Sequence, residues 1–299
     1  DSDPDGGFVV PDETDAAISR ALETVSAIRR LADVITISGG AFKALHNLGG
    51  ATVGWVGEQQ SRAETTTSRM VEMTFPMGEI YAMPAASQTL LDDARVNIDA
   101  WLADEVRIKF SEYENAAFVT GNGVNKPKGF IDATNGVVAN ASWAWGKVGY
   151  VHTATSGAFP TSSASTNAYD KLLDLYHSLR AGYRNEAAWL MSDATLAEVR
   201  KVKDTVGDYI YMPPTATEPA SILGKTAEVD DNMPAIAANS FSIGFAAWKR
   251  AYKIVDRFGT RVLRDPYSSK PYVLFYTTKR VGGGIRDYEA IKLLKFGTS

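Results

Sequence analysis

The segment from Gly54 to Pro84 favours extended structure but contains too few apolar side chains to form a core of its own. Its second half alternates apolar and polar residues, with Val71, Met73 and Phe75 on one side, the period-two pattern of a strand with one apolar face. The part from Glu58 to Arg69 is almost entirely polar. Because an isolated hairpin is only marginally stable in water, a long ordered one must be covered elsewhere, most simply by another copy of the chain. The segment therefore predicts an assembly protein rather than an enzyme.

Composition narrows the protein class. The chain has 299 residues, 45% of them hydrophobic, which is enough to bury a substantial core in one large domain or two ordinary ones. It contains no run of about 18 apolar residues, so we expect no membrane span. The absence of cysteine excludes disulfides, thiolate nucleophiles and cysteine metal sites.

Charge is distributed unevenly along the chain. Residues 249–299 hold 12 Lys and Arg against 4 Asp and Glu, so the net charge of −4 combines +8 here with −12 on residues 1–248. The basic residues are scattered along predicted strands rather than clustered. This favours pairing with acidic groups of the same chain or of a neighbouring copy over a nucleic-acid-binding face.

Two long helices and a second lobe are predicted. An extended segment from Gly6 to Pro11 precedes a helix from about Asp12 to Leu31. The longest element runs from about Gln88 to Thr120, on the order of 45 to 50 Å at about 1.5 Å per residue, and is interpreted as a spine against which strands pack. From about Asp132 the pattern indicates a mixed α/β lobe, and the strands Tyr252–Val255, Arg261–Arg264, Tyr272–Thr277 and Ala290–Phe296 follow. The predicted fold class is α+β.

Histidine and phosphate-loop patterns do not predict a catalytic site. The three histidines lack the spacing of metal ligands; they are His46, His152 and His177. Leu223-Gly-Lys-Thr226 imitates the end of a phosphate loop, but the first glycine of that motif would fall at Pro219, which has no N–H to donate.

Two further segments imitate binding loops. Gly121–Gly129 is glycine-rich but follows a helix instead of opening one, which favours a turn over an anion cradle. The start Asp1-x-Asp3-x-Asp5 matches half of a calcium loop and lacks a preceding helix. We therefore predict no catalytic residues, no metal site and no cofactor.

Several short segments follow one another in a distinctive order over nearly the whole chain. Besides the polar hairpin and the spine helix they are Gly6–Pro11, Val119–Phe130, Leu223-Gly224, Met233-Pro234, Asp256-Arg257, Val262–Asp265, Arg280–Gly284 and Asp287–Ala290. In this order they resemble the major capsid protein of tailed bacteriophages, of the Hong Kong 97 type. The resemblance covers nearly all of the sequence.

The resemblance implies a Hong Kong 97-like capsid fold and a structural role. Pentamers and hexamers would close into an icosahedral-type head around double-stranded DNA, with portal and other head proteins as further partners, assembled in the bacterial cytoplasm and located in the virion. The implied parts are an N-terminal arm (1–31), a peripheral domain with the spine helix (32–53, 85–131 and 257–299), an extended loop (54–84) and an axial domain (132–256).

The same resemblance suggests which residues meet a neighbouring copy. The predicted contact residues are Phe8, Pro11, Glu58, Arg62, Glu64 and Arg69. Glycines near the base of the hairpin are predicted hinges, because glycine adopts backbone angles that other residues avoid; they are Gly54, Gly57 and Gly78.

Covalent joining of subunits is not expected. Some members of the family form a lysine-to-asparagine isopeptide bond from the extended loop, but residues 54–84 contain no lysine and the matching stretch Ser268–Val273 contains no asparagine. The chain begins at Asp1, which suits a product of proteolytic maturation as well as a truncated chain.

Other functions also fit this sequence. An encapsulin-like shell around a cargo enzyme and a gene transfer agent head share the fold, and the contents of the particle distinguish them. From other classes, a hydrolase with an unrecognised site and a free DNA-binding protein that uses the basic C-terminal segment are the alternatives.

Overall fold

The computed structural model describes residues 27–62, 64–87, 98–161, 167–203 and 221–298. Its first half contains α1 (Ile28–Leu31), β1 (Asp33–Ile37), β2 (Phe42–Asn47), β3 (Met70–Phe75), β4 (Met77–Ala82), β5 (Ala85–Ser87) and α2 (Ile98–Thr120). Then follow β6 (Val138–Ala139), β7 (Gly149–His152), α3 (Ala168–Ser178), α4 (Ala181–Arg184), β8 (Ala188–Met191) and α5 (Asp193–Arg200). The last elements are β9 (Ser221–Ile222), β10 (Lys225–Val229), β11 (Phe241–Ala246), α6 (Trp248–Ala251), β12 (Tyr252–Asp265), β13 (Tyr272–Ile285) and β14 (Ile291–Lys295).

The first sheet is built on a long hairpin. β12 and β13 pair antiparallel from Tyr252↔Ile285 to Asp265↔Leu274, with a bulge between Arg257 and Arg261. The strand order is β1-β12-β13-β4, and β5 also pairs with β13. The helix α2 packs on one face, because its Ile98 and Leu102 contact a small core that includes Phe275.

The second sheet has seven strands in the order β6-β7-β14-β11-β8-β10-β9. All four residues of β8 are buried, as is typical of a strand covered on both faces. Trp189 lies in a core shared with α3 and α5, whereas Leu190 faces a different core. Successive side chains of β8 therefore point into two different apolar cores, one on each face of the sheet.

One core joins the two sheets. It contains Phe118 from α2, Trp248 from α6 and Leu293 from β14. The Trp248 indole N–H donates to the carbonyl of Ala188 at 3.0 Å. Since fully burying a large apolar side chain contributes about 1.5–3 kcal/mol, this shared core links the two lobes strongly.

The α+β interpretation is confirmed as a mixed fold of helices and two main sheets. The predicted end of the spine helix at Thr120 is also confirmed, whereas its predicted start lies outside the described residues. Of the predicted arm helix, only the last turn is described, as α1.

Three predicted boundaries differ from the structure. Residues 77–82, assigned to the extended loop, form β4 of the first sheet. β12 continues as a single strand through the predicted boundary at residue 256. The pairing register with β13 shifts at a bulge there, but the strand does not end. β14, assigned to the peripheral domain, pairs with β7 and β11 in the second sheet. Strand patterns predict strands but not their partners, which explains these differences.

Candidate assembly interface

The projecting hairpin begins earlier than predicted. β2 and β3 pair antiparallel from Phe42↔Phe75 to Asn47↔Met70. Backbone hydrogen bonds continue beyond the strands, since Leu48 N donates to Arg69 O at 2.8 Å and Thr52 N to Thr66 O at 3.2 Å. We call residues 42–75 the ribbon. Its first strand belongs to the segment 32–53 that the sequence assigned to the peripheral domain, because the period-two pattern of β2 is short and flanked by glycines on both sides.

The ribbon has one covered and one open face. Val71, Met73 and Phe75 lie on the more covered face, as predicted. Towards the tip, Val53 is 97% exposed and Trp55 is fully exposed. These are the residues that the sequence interpretation missed, although a tryptophan within a polar, glycine-flanked segment is a recognisable signal.

The predicted contact residues of the ribbon are all exposed. Glu58 lies in the turn at Gly57–Gln60, and Arg62, Glu64 and Arg69 lie between that turn and the start of β3. The other two predicted contact residues, Phe8 and Pro11, lie outside the described residues. The structure thus places four of the six on one projecting element.

The three predicted hinge glycines fall into two groups. A Cβ at Gly54 would meet nothing within 4 Å, and one at Gly57 would meet only the Gln60 side chain, at 3.6 Å. Gly78 instead is buried in β4, where a Cβ would lie 2.2 Å from the carbonyl oxygen of Asn125. Glycine at 78 is therefore explained by close backbone packing rather than by freedom to rotate.

The base of the ribbon is attached to the body at two places. Phe75 is buried and packs against Phe42 within the ribbon, with ring centroids 5.5 Å apart, and the Nζ of Lys253 in β12 lies 5.7 Å from the centre of the Phe42 ring. His46 stacks on Trp145 at 5.1 Å, and Trp145 in turn contacts the Tyr288 ring at 5.6 Å. The ribbon is consequently fixed at its base, while residues 49–62 and 64–67 are exposed throughout.

A second open surface lies on the first sheet, on the face opposite α2. The strand register places Tyr81, Thr278 and Arg261 in one row across β4, β13 and β12, with Leu263 and Tyr276 in the next row outward. Tyr81 is 68% and Leu263 62% exposed. We call this surface the distal face.

Basic side chains surround a cavity on the distal face. Its volume is about 220 Å³, and its charged lining residues are Glu79, Arg257, Arg261, Lys279 and Arg280. The single carboxylate among them, Glu79, lies 3.3 Å from Arg280. Lys279 is paired with Glu114 of α2, so its charge is already balanced within the chain.

Exposed apolar side chains concentrate on the ribbon and at the end of the first sheet that carries the distal face. Of sixteen large apolar residues that are exposed in the described part of the chain, six lie on the ribbon and seven at the distal end of the first sheet. The six are Leu45, Leu48, Val53, Trp55, Val56 and Met70, and the seven are Tyr81, Met83, Val262, Leu263, Tyr267, Tyr272 and Tyr276. Within the described residues, none of the sixteen lies between 132 and 251. Such clustering is typical of protein–protein contact surfaces.

The end of the predicted arm is anchored by charged groups. Ala27 N donates to the fully buried Asp230 at 3.1 Å. Arg29 donates to both oxygens of Asp256, at 2.7 and 2.9 Å, and to Glu114 at 2.9 Å. Its hydrogen bond to Asp256 raises the pKa of Arg29. Residues 27–29 therefore fix the point at which the arm meets the body.

Glu114 is the buried centre of this charge network. Its side chain is 2% exposed and accepts from Arg29 and from Lys279, whose Nζ lies 2.6 Å from the nearer carboxylate oxygen. The network joins α1, α2 and β13. Two acids and two bases, with Asp256 as the second acid, balance the buried charge.

Groups suited to chemistry are not brought together in the described residues. Those residues contain no cluster of three or more His, Cys, Asp or Glu that could hold a metal ion. Burial lowers the pKa of Lys292 to about 8, and its Nζ is bonded to Asn140 at 2.8 Å and lies 4.6 Å from the centre of the Trp143 ring. None of the described helices is long and apolar enough to cross a membrane.

Solved structures resemble this chain over nearly its whole length. One described as "Capsid of native GTA particle computed with C5 symmetry" is 40% identical, with a TM-score of 0.90, covering 98% of this chain and 97% of that one. Another, "Capsid of empty GTA particle computed with C5 symmetry", is 41% identical, with a TM-score of 0.88 and the same coverage. A chain of Microbacterium phage Oxtober96 has a TM-score of 0.70 at 14% identity, covers 98% of both chains and shows the shared fold.

The sequence also matches a protein-family model. The model of the phage capsid family matches residues 6–296, while the comparison with curated proteins gives no match. The encapsulin-like alternative gains no support from these matches, which are to capsids of phages and GTA particles. Because the family model covers almost every residue and two capsid structures exceed 30% identity, this chain belongs to the phage capsid family.

Proposed function

We propose that this chain is the major capsid protein of a phage-type or gene transfer agent head, and that its copies form pentamers and hexamers of a closed shell around double-stranded DNA. The observation that carries the proposal is the ribbon, which presents Val53 and Trp55 to solvent in a single copy. Aromatic and aliphatic residues exposed in this way are stabilised when a partner covers them. In a shell, the partner is a neighbouring copy.

The energetics of such a shell require only modest contacts. A standard interface buries about 1,600 Å² in total, and a subunit that already touches one neighbour makes its next contact at a high effective concentration. Cooperative closure then follows from the number of contacts.

The same surfaces must meet at different angles in pentamers and hexamers. We assign this adjustment to Gly54 and Gly57, which are exposed and have room for backbone rotation. Gly78 keeps a packing role in this proposal.

The proposed parts follow the two sheets. The arm comprises residues 1–31, the extended loop corresponds to the ribbon, the first sheet with α2 forms the peripheral domain, and the second sheet, including β14, forms the axial domain. The protein is proposed to act structurally rather than as an enzyme. Assembly in the bacterial cytoplasm, with portal and other head proteins, and non-specific contact with packaged DNA complete the proposal.

The test is removal of the ribbon tip. We expect the wild-type chain to form shells visible by negative-stain electron microscopy, and a variant shortened between Glu58 and Arg69 to remain folded by circular dichroism but to form no particles. Normal shells from the shortened variant would contradict the proposal.

A matched pair of point variants isolates the apolar contribution. Val53 and Val124 are both exposed valines, and only Val53 lies on the ribbon. We expect Val53→Asp to lose particles and Val124→Asp to keep them, since a charge at the centre of an interface is costly. Normal particles from both variants would show that Val53 is not buried in the assembled shell.

A further inference from the structure

We propose that His46 and Trp145 form a releasable latch that holds the ribbon at one angle in a single copy, and that the ribbon pivots about Phe42 and Phe75 when the latch opens. The latch operates in the unassembled chain. It adds a joint at the base of the ribbon to the glycines near its tip.

The ribbon can tilt as one unit. β2 and β3 form a two-stranded sheet of their own, with an unbroken register from Phe42↔Phe75 to Asn47↔Met70. Because these hydrogen bonds lie within the ribbon, a tilt breaks none of them. Side-chain contacts at the base therefore set the angle of the ribbon.

Two contacts of unequal strength hold that base. At the inner contact Phe75 is 4% exposed, and a Cβ at Gly284 of β13 would lie 3.4 Å from its ring. At the outer contact His46 is only half-buried and stacks on Trp145. A buried apolar contact with the sheet is harder to open than a half-buried stack, because it keeps more apolar surface from water. Phe75 is therefore the pivot, and His46 is the part that moves.

The outer contact carries a cost of its own. The Nε1–H of Trp145 is buried and finds no acceptor within the described part of the chain. Two residues earlier, Trp143 donates its Nε1–H to the carbonyl of Lys147 at 2.7 Å. A buried donor without a partner has lost the hydrogen bond that water gives it, and in the open state water reaches this N–H again. Stacking and the unpaired N–H thus oppose each other, which favours a contact that can be released.

The turn that carries Trp145 is held independently of the ribbon. Gly146 has a φ of 91°, a left-handed conformation that favours glycine. The Nζ of Lys292 lies 4.6 Å from the centre of the Trp143 ring, and the Tyr288 ring supports Trp145 at 5.6 Å. The latch therefore has a fixed half on the second lobe and a moving half on the ribbon.

The position of the latch amplifies small movements. His46 lies four positions from Phe42 along the ribbon, and Gly57 at the turn lies fifteen positions from it. For extended strands these spans are about 13 Å and about 50 Å. A gap of about 4 Å at His46, enough to end van der Waals contact, thus moves the turn by about 15 Å. A single pair of rings therefore decides where the tip is presented.

Distance measurements on unassembled subunits test the latch. The chain has no cysteine, so Gln59→Cys at the turn and Ala197→Cys on α5, both at exposed positions, give two unique spin-label sites. We expect one narrow distance distribution when the latch is intact. In His46→Ala and in Trp145→Ala the distribution should broaden by about 15 Å, because the ribbon is then free to pivot.

The matched control is Trp55→Ala. It removes the same side chain from a fully exposed position on the ribbon, where a single copy offers it no contact to lose. The distribution in this variant is expected to stay as narrow as in the chain with the intact latch.

The double variant distinguishes a latch from general loosening. Because neither ring forms the stack without the other, His46→Ala combined with Trp145→Ala is expected to match the single variants. Circular dichroism checks the folding of each variant, and the half-buried His46 keeps the test available if Trp145→Ala does not fold. A narrow distribution in His46→Ala, further broadening in the double variant or broadening in Trp55→Ala would each overturn the proposal.

The proposed function fails separately, because the distances are measured before assembly. A chain that forms no shells but shows the expected broadening would contradict the capsid role alone. A chain that forms shells while the latch variants keep a narrow distribution would contradict the latch alone.

Discussion

Removal of the buried Glu114 carboxylate is predicted to destabilise the folded chain strongly. Glu114 is held by Arg29 and Lys279, and its side chain is 2% exposed. Removing one member of a buried ion pair costs about 3–5 kcal/mol, because the remaining charge loses its compensation. Arg29 keeps Asp256 and is 32% exposed, so the cost for Glu114→Met falls at the lower end, about 3 kcal/mol.

The double variant separates charge from packing. Glu114→Met with Lys279→Met removes one charge of each sign from the network, so we expect it to be less destabilised than Glu114→Met alone, with a coupling energy of about 2 kcal/mol. The control is Glu112→Met on the same helix, which breaks a partly exposed pair with Lys109, whose side chain is 54% exposed, and is expected to cost less than about 1 kcal/mol.

The assay is denaturant unfolding of unassembled subunits, followed by circular dichroism. The reasoning is refuted if Glu114→Met lies within about 1 kcal/mol of the wild type, or if the double variant costs as much as the two single variants together.

Three further predictions concern pH, packing and covalent chemistry. The pKa of Lys292 is lowered to about 8 from its ordinary 10.5, so between these values the unfolded chain binds more protons than the folded one and stability rises with pH. From pH 8 to 9.5 the free energy of unfolding should rise by about 1–2 kcal/mol from this group, and Lys292→Met should abolish that component; an identical pH profile in the variant contradicts the assignment. Gly78→Ala should lower stability by about 1–3 kcal/mol, because its Cβ would meet the Asn125 carbonyl at 2.2 Å, whereas Gly57→Ala should change it by less than about 0.5 kcal/mol; equal melting temperatures for both variants would disprove the packing role. Denaturing gels of mature particles should show one band near 32.3 kDa, and a ladder of larger bands would reveal covalent joining of subunits.

Local patterns predicted individual elements of this fold well. The alternation of Val71, Met73 and Phe75 identified β3, and Gly121 after Thr120 identified the end of α2, because strand and helix periods are properties of neighbouring residues. The exposure of Glu58 and Arg69 likewise follows from the polarity of the segment that contains them.

Partners distant in the sequence were harder to predict. The pairing of β14 with β7, the role of Gly78 against Asn125 and the pairing of β2 with β3 all depend on contacts that no local period encodes. The distal face was missed for the same reason, because Tyr81, Arg261 and Tyr276 become neighbours only when three strands align. The uneven charge of the C-terminal segment was the only sequence signal of that surface.

The direct passage of β3 into β4 through Pro76 has a mechanical consequence for an assembled shell. A neighbour that pulls on the tip loads the main chain of β3, and this load passes straight into the strand that hydrogen-bonds to β13. β13 in turn pairs with the long strand β12, so the load would spread over the whole first sheet of the subunit. Tension on the tip would then be resisted by the main chain and by many strand hydrogen bonds in parallel, instead of by any single side-chain contact.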